Sequence, residues 1–218
     1  MRQLRSPALP VGIFLTATLC LVLCRDKRLA GLAQPLLQPA GRWLHIGTDS
    51  LYLLLTLFVL PLLFLVLARE NPKHYGLSLG KMRLAVPIFL LFLVFFTAVG
   101  LLVGKTGSFR AFYGPAPDGP AGSFLLFLTY LLSMTGWEFM NRGFLMLGLK
   151  KYVGVYAVYI QLLPFVLLHL GKPPFELYGS VLFGLLFGFY AYLVNSFIYG
   201  AVAHAWFALV IRLGAGTS

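Results

Sequence analysis

Apolar positions run unbroken over stretches long enough for a helix to cross a bilayer, and short segments rich in charge and turn residues separate them. The pattern predicts an all-α polytopic bundle of about seven spans, at 8–24, 51–68, 84–104, 123–148, 152–170, 177–195 and 197–213. A transmembrane barrel would instead alternate apolar and polar residues along short strands. Between the first two spans, 25–50 carries Pro35, Pro39 and Trp43 and is compatible with an interfacial helix. The stretch 69–83 is polar with turn residues, and Gly114 through Pro120 predicts a loop over 105–122. No repeat or low-complexity tail divides the chain, so a single membrane domain over 1–218 is expected. Arg2 and Arg5 precede an apolar stretch, as in a signal peptide. That stretch runs into Arg25, Asp26, Lys27 and Arg28 with no small-residue cleavage site, so a retained first helix is expected.

Composition supports lipid as the main solvent. The chain is 60% hydrophobic and 11% charged, and its six acidic residues cannot cover a globular exterior in water. The formal charge of +11 raises nucleic acid as a partner, but the basic residues sit in clusters at span ends: Arg25, Lys27 and Arg28; Arg69, Lys73, Lys81 and Arg83; Lys150 and Lys151. That distribution fits membrane-flanking anchors near anionic headgroups, so the bilayer and no nucleic acid is the expected partner. Counting basic residues on the two sides gives a tie, which leaves orientation open. Cys20 and Cys24 lie one helical turn apart in an apolar run and read as packing residues. Trp43, Tyr52 and Tyr152 near span ends fit an interfacial belt. His45 and His74, in polar connectors, read as ordinary interfacial residues, and Gly184 and Gly188 as sites of close helix packing.

An ionisable group inside a membrane segment is costly and needs a reason. Among the acidic residues only Glu138 is flanked on both sides by apolar helix, and Arg142 follows four residues later on the same face. An internal ion pair is the plain account; a carboxylate held ionised to take a proton from water is the functional one. His169 and His204 also fall at membrane depth, on separate spans. One Glu with two His suits either a zinc site with an open position or metal-free activation of water, with a histidine donating to the tetrahedral oxyanion. The chain has neither an H-E-x-x-H helix nor a G-x-S-x-G elbow. Glu176, after Lys172-Pro173-Pro174, is a second candidate carboxylate, with a plain reading as an N-terminal helix charge.

These residues resemble the CAAX-protease and bacteriocin-processing family of intramembrane endopeptidases, which includes the Ras-converting enzymes. The E-E-x-x-x-R motif of that family corresponds to Trp137 through Arg142, F-x-x-x-H to Phe165 through His169, and H-x-x-x-N to His204 through Ala208. Order and spacing agree over 123–213. The resemblance implies a catalytic cavity among the C-terminal four helices, a membrane-associated protein or peptide substrate, and cleavage near its terminus or anchor. It also implies Glu138 as general base, His169 orienting water, His204 facing the oxyanion and Arg142 holding Glu138. No cofactor is expected in the glutamate mechanism; zinc held by Glu138, His169 and His204 is the alternative. The bacterial inner membrane is the expected location.

Two positions depart from the family pattern. Trp137 stands where the first carboxylate belongs, and one residue is about 100° of helix rotation. Ala208 replaces an amide, and losing such an oxyanion donor typically costs about 100-fold or more in rate. A degenerate relative that binds membrane peptides without cutting them is therefore a second reading. A small transporter subunit with an ion relay is a third, but it lacks the inverted repeats and broken helices such proteins show.

Overall fold

The computed structural model describes residues 8–44, 46–114 and 118–215. Arg2, Arg5, His45, the side chain of Trp43 and the centre of the expected loop, 115–117, lie outside the described residues. Helices are the only regular elements among those described. In chain order they are α1 (Ala8–Arg25), α2 (Lys27–Leu44), α3 (Thr48–Leu67), α4 (Met82–Gly104), α5 (Gly107–Tyr113), α6 (Gly119–Val153), α7 (Tyr156–Leu168), α8 (Pro174–Val194) and α9 (Ile198–Ala215). Six of them, α1, α3, α4, α6, α8 and α9, are long and apolar enough to cross a membrane.

The remaining three have separate explanations. In α2, Leu29, Leu32 and Leu36 recur at three- and four-residue spacing and are exposed. That apolar stripe opposite charged residues suits a helix lying in the interface. The expected span at 152–170 is the shorter α7. Gly154 at φ +60° separates it from α6, and it ends at His169. Its 13 residues cover about 20 Å at 1.5 Å per residue, less than the ~30 Å hydrocarbon core. Helix α5 corrects the expectation of a plain loop over 105–122. Its Phe109 is fully buried against the bundle, and Gly114, at φ +71°, ends it.

Helix α9 is central: 61% of its most apolar window is buried, against 11% for α4, which faces lipid along much of its length. Close backbone approach holds α7 against α8. A Cβ at Gly184 would fall 2.6 Å from Leu162 Cδ1, and one at Gly188 would fall 2.8 Å from Gln161 Nε2. Small residues at such crossings are how helices pack where no hydrophobic force drives them together. Within α6 the backbone changes to π-helical hydrogen bonding from Phe139 to Leu147, directly after Glu138. π-Helical turns are uncommon and occur often at functional sites. The change frees carbonyls from the regular ladder, and Asn141 Nδ2 donates to Trp137 O at 2.8 Å, satisfying one of them.

Candidate active site

Helices α6, α7 and α9 bring the sequence candidates together. Glu138 and Arg142 are both fully buried, and Arg142 Nη1 donates to Glu138 Oε1 at 3.2 Å. The guanidinium also lies 3.8 Å from the Phe165 ring centroid, a cation–π contact that compensates part of its desolvation. Arg142 Nη2 reaches Gly184 O at 3.5 Å, a carbonyl that also accepts from Gln161 Nε2 at 3.0 Å. Two buried charges cost several kcal/mol each in lost hydration, so this pair survives only because charge, ring and carbonyl act together.

His204 joins the pair from α9, its Nδ1 2.9 Å from Glu138 Oε1. A carboxylate accepts, so Nδ1 carries the hydrogen and Nε2 is left as the free nitrogen. His169, at the C-terminal end of α7, is fixed similarly: its Nδ1 lies 2.8 Å from Phe165 O, an oxygen that only accepts. The two imidazoles are nearly parallel, at 4°, with centroids 6.3 Å apart. Gly200 makes room for the carboxylate, since a Cβ there would stand 3.3 Å from Glu138 Oε2. Among the described residues, Glu138 Oε2 and Trp137 Nε1 are buried without a hydrogen-bond partner.

Both imidazoles line a small, partly enclosed cavity of about 40 Å³, which also meets Tyr113, Glu176, Ser180 and Ala208. That volume holds about two or three waters. Seven phenylalanines form most of the remaining wall, giving a low-dielectric surround in which charge and hydrogen bonds act strongly. Glu138 is not on this wall. It lies behind His204 and reaches the cavity only through it. Trp137 packs edge-on against both imidazoles, with centroids 5.5 Å from His169 and 6.4 Å from His204.

Glu176, in the first turn of α8, does line the cavity. Tyr113 Oη donates to its Oε2 at 2.6 Å, and Lys172 Nζ lies 3.3 Å from its Oε1 and 2.9 Å from Tyr113 Oη. Burial first, and then the Glu176 charge, push the Tyr113 hydroxyl well above the usual phenol range, so it remains a donor. Sequence reading missed Tyr113 and Lys172. Lys172 carried a usable signal, standing four residues before Glu176, whereas Tyr113 lies 63 positions away with no local mark.

The zinc alternative asks for Glu138, His169 and His204 as ligands. Among the described residues no three His, Cys, Asp or Glu side chains converge to hold a metal ion. Glu138 and His204 are instead bonded to each other, and the Nδ1 of His169 is bonded to a backbone carbonyl. The donor set does not fit zinc as arranged here.

A bundle with six helices long and apolar enough to cross a membrane is that of an integral multi-pass membrane protein, and this one carries a carboxylate–imidazole pair beside a cavity. Residues 120–210 match the family described as Type II CAAX prenyl endopeptidase Rce1-like, the family that the three motifs resemble. The matched stretch contains Trp137, Glu138, Arg142, His169, Glu176, His204 and Ala208, but not Tyr113. The family supports a membrane protease acting on membrane-associated substrates. Comparison with curated proteins and with solved structures gave no match.

Proposed function

We propose that this protein is an intramembrane endopeptidase that hydrolyses a peptide bond near the terminus or membrane anchor of its substrate. The observation that carries this reading is the 2.9 Å contact between Glu138 Oε1 and His204 Nδ1 beside a cavity lined by His204 and His169. With Nδ1 held by the carboxylate, His204 Nε2 takes the proton of a cavity water as that water attacks the scissile carbonyl, then returns it to the departing amine. Glu138 fixes the ring and stabilises the imidazolium that forms. His169 Nε2 accepts from the same water and orients it. This gives proton transfer to His204 rather than directly to Glu138, because Glu138 Oε1 is shared between Arg142 and His204 and the carboxylate stays off the cavity wall. A bacterial inner membrane remains the proposed location.

A second reading has its own observation. The Trp137 indole stands against both imidazoles where the family places a carboxylate, and Ala208 presents only a methyl to the cavity. Both features suit a relative that binds membrane peptides without cleaving them. One experiment separates the two: the protein reconstituted in liposomes is incubated with fluorogenic peptides bearing a lipid anchor, and turnover and binding are measured together. Turnover that disappears in His204→Ala while binding persists supports the protease. Binding by the wild-type chain with no turnover supports the degenerate relative.

A further inference from the structure

A groove outside the active site runs between α1 and α7. Its apolar part, a cavity of about 490 Å³, is walled by Phe14, Thr18 and Leu21 on one side and Tyr159, Leu163 and Leu167 on the other. Through Leu21 and Leu167 it continues into a second hollow of about 430 Å³, which ends at Arg25, Asp26 and Leu170. From Phe14 to Arg25 the groove follows α1 for about 16 Å at 1.5 Å per residue, close to half of the ~30 Å hydrocarbon core. One end is hydrocarbon-like and the other is charged.

The charge at that end is available. Arg25 is exposed, and among the described residues its two terminal nitrogens reach only Leu170 O, at a long 3.4 Å each, which leaves most of the fork of donors facing outward. Lys27 and Arg28 are exposed beside it. The neighbouring acid, Asp26, is turned into the start of α2, where its Oδ1 accepts from the Arg28 and Leu29 amides at 2.8 and 3.3 Å. A guanidinium with free donors, beside the exposed Lys27 and Arg28, pairs best with a phosphodiester whose charge no headgroup cation offsets, and a groove of leaflet depth pairs with an acyl chain.

We propose that this groove is a binding site for one anionic phospholipid, its acyl chain between α1 and α7 and its phosphate on Arg25. The wall it would brace, α7, is the short helix that carries Phe165 and His169 on its other face. The site does not depend on whether the protein cleaves peptides.

Native mass spectrometry of the detergent-purified full chain with equal phosphatidylglycerol and phosphatidylcholine tests it. One retained lipid is expected, with phosphatidylglycerol favoured by about tenfold, the 1.4 kcal/mol scale of a single charge-assisted contact. Arg25→Gln is expected to abolish the preference while lipid is still retained, and Thr18→Trp, which fills the groove, to remove the lipid. Should Thr18→Trp fail to fold, Phe14→Trp serves as a fluorescent reporter. Its quenching in excess of that of the wild-type chain, whose three tryptophans lie elsewhere, is expected to be greater with brominated phosphatidylglycerol than with brominated phosphatidylcholine, and equal excess quenching overturns the proposal. Retention of both lipids alike, a preference unchanged in Arg25→Gln, or a second copy of the chain occupying the face each overturns it as well.

Discussion

The His204 ring on α9 is bonded through Nδ1 to the Glu138 carboxylate on α6, 2.9 Å away and 66 positions apart in the chain. The same oxygen, Oε1, is the one Arg142 reaches, so one carboxylate oxygen ties together the guanidinium of its own helix and an imidazole from the central helix. The arrangement neutralises a buried charge and also leaves His204 Nε2 as the nitrogen free to act at the cavity. Ion pairing and chemistry are therefore compatible accounts of Glu138, and variants separate them.

Glu138→Gln keeps the size of the side chain but removes the charge that orients His204 and stabilises its protonated form. If His204 is the base, kcat is expected to fall by about 10² to 10⁴, the usual range for general acid–base catalysis, with KM little changed. Helical circular dichroism of the purified variant should match wild type. Full kcat in a correctly folded Glu138→Gln would remove the pair from the mechanism.

Arg142 bears on stability before rate. Arg142→Ala leaves the Glu138 carboxylate buried without its cation, and a loss of about 3–5 kcal/mol is expected. The double variant Glu138→Leu with Arg142→Met replaces both charges with apolar groups of similar volume, which is often neutral or stabilising. It should recover the melting temperature and remain inactive. Recovery of activity along with stability would mean that the pair serves only the fold.

Spans and motifs were legible in the sequence because a bilayer leaves helices few alternatives: runs such as 84–104 and 197–213 return as Met82–Gly104 and Ile198–Ala215. The shortness of α7 was less legible, because Gly154 and His169 end it within a run that stays apolar on both sides. Helix α5 was hidden between turn residues, and only burial of Phe109 distinguishes it from loop. Glu138, Arg142, His169 and His204 were all identified by the cost of a polar group in an apolar run. Their mutual arrangement was not, since the side on which Glu138 meets His204 depends on helix rotation and on the π-helical stretch after it. The Tyr113–Glu176–Lys172 cluster joins two connecting regions, and no periodicity relates them.

Ala208 follows His204 by one turn and lines the same cavity. Ala208→Asn would place a hydrogen-bond donor there, and removing such a donor from other hydrolytic sites costs about 10² to 10³ in kcat. A rise in kcat of about tenfold or more is expected in Ala208→Asn, measured on the same anchored peptides. A fall in kcat with unchanged binding would mean that the cavity has no room for the amide and that the oxyanion is held elsewhere.

Metal removal is a separate test. Because Glu138 and His204 bond to each other rather than converging with His169 on a common point, chelator treatment is expected to leave turnover unchanged. Loss of activity on chelation, restored by added Zn²⁺, would require the site to rearrange and would reinstate zinc chemistry.

Glu176 is the carboxylate that faces the cavity, yet both its oxygens are engaged, Oε2 by Tyr113 at 2.6 Å and Oε1 by Lys172 at 3.3 Å. A base whose oxygens are both held by donors is poorly placed to take a proton, so Glu176 is expected to close the cavity rather than to react. Tyr113→Phe removes the shorter of these bonds, a hydrogen bond to a charged group worth about 1.5–3 kcal/mol, and should lower the melting temperature. Its kcat should change by less than about tenfold, since one hydrogen bond lost away from the reacting atoms withdraws no proton-transfer group. Glu176→Gln should behave alike, with any change falling on KM. If Glu176→Gln instead loses as much kcat as Glu138→Gln while Tyr113→Phe does not, Glu176 supplies the carboxylate that Trp137 displaces. His204 would then serve the oxyanion rather than the water.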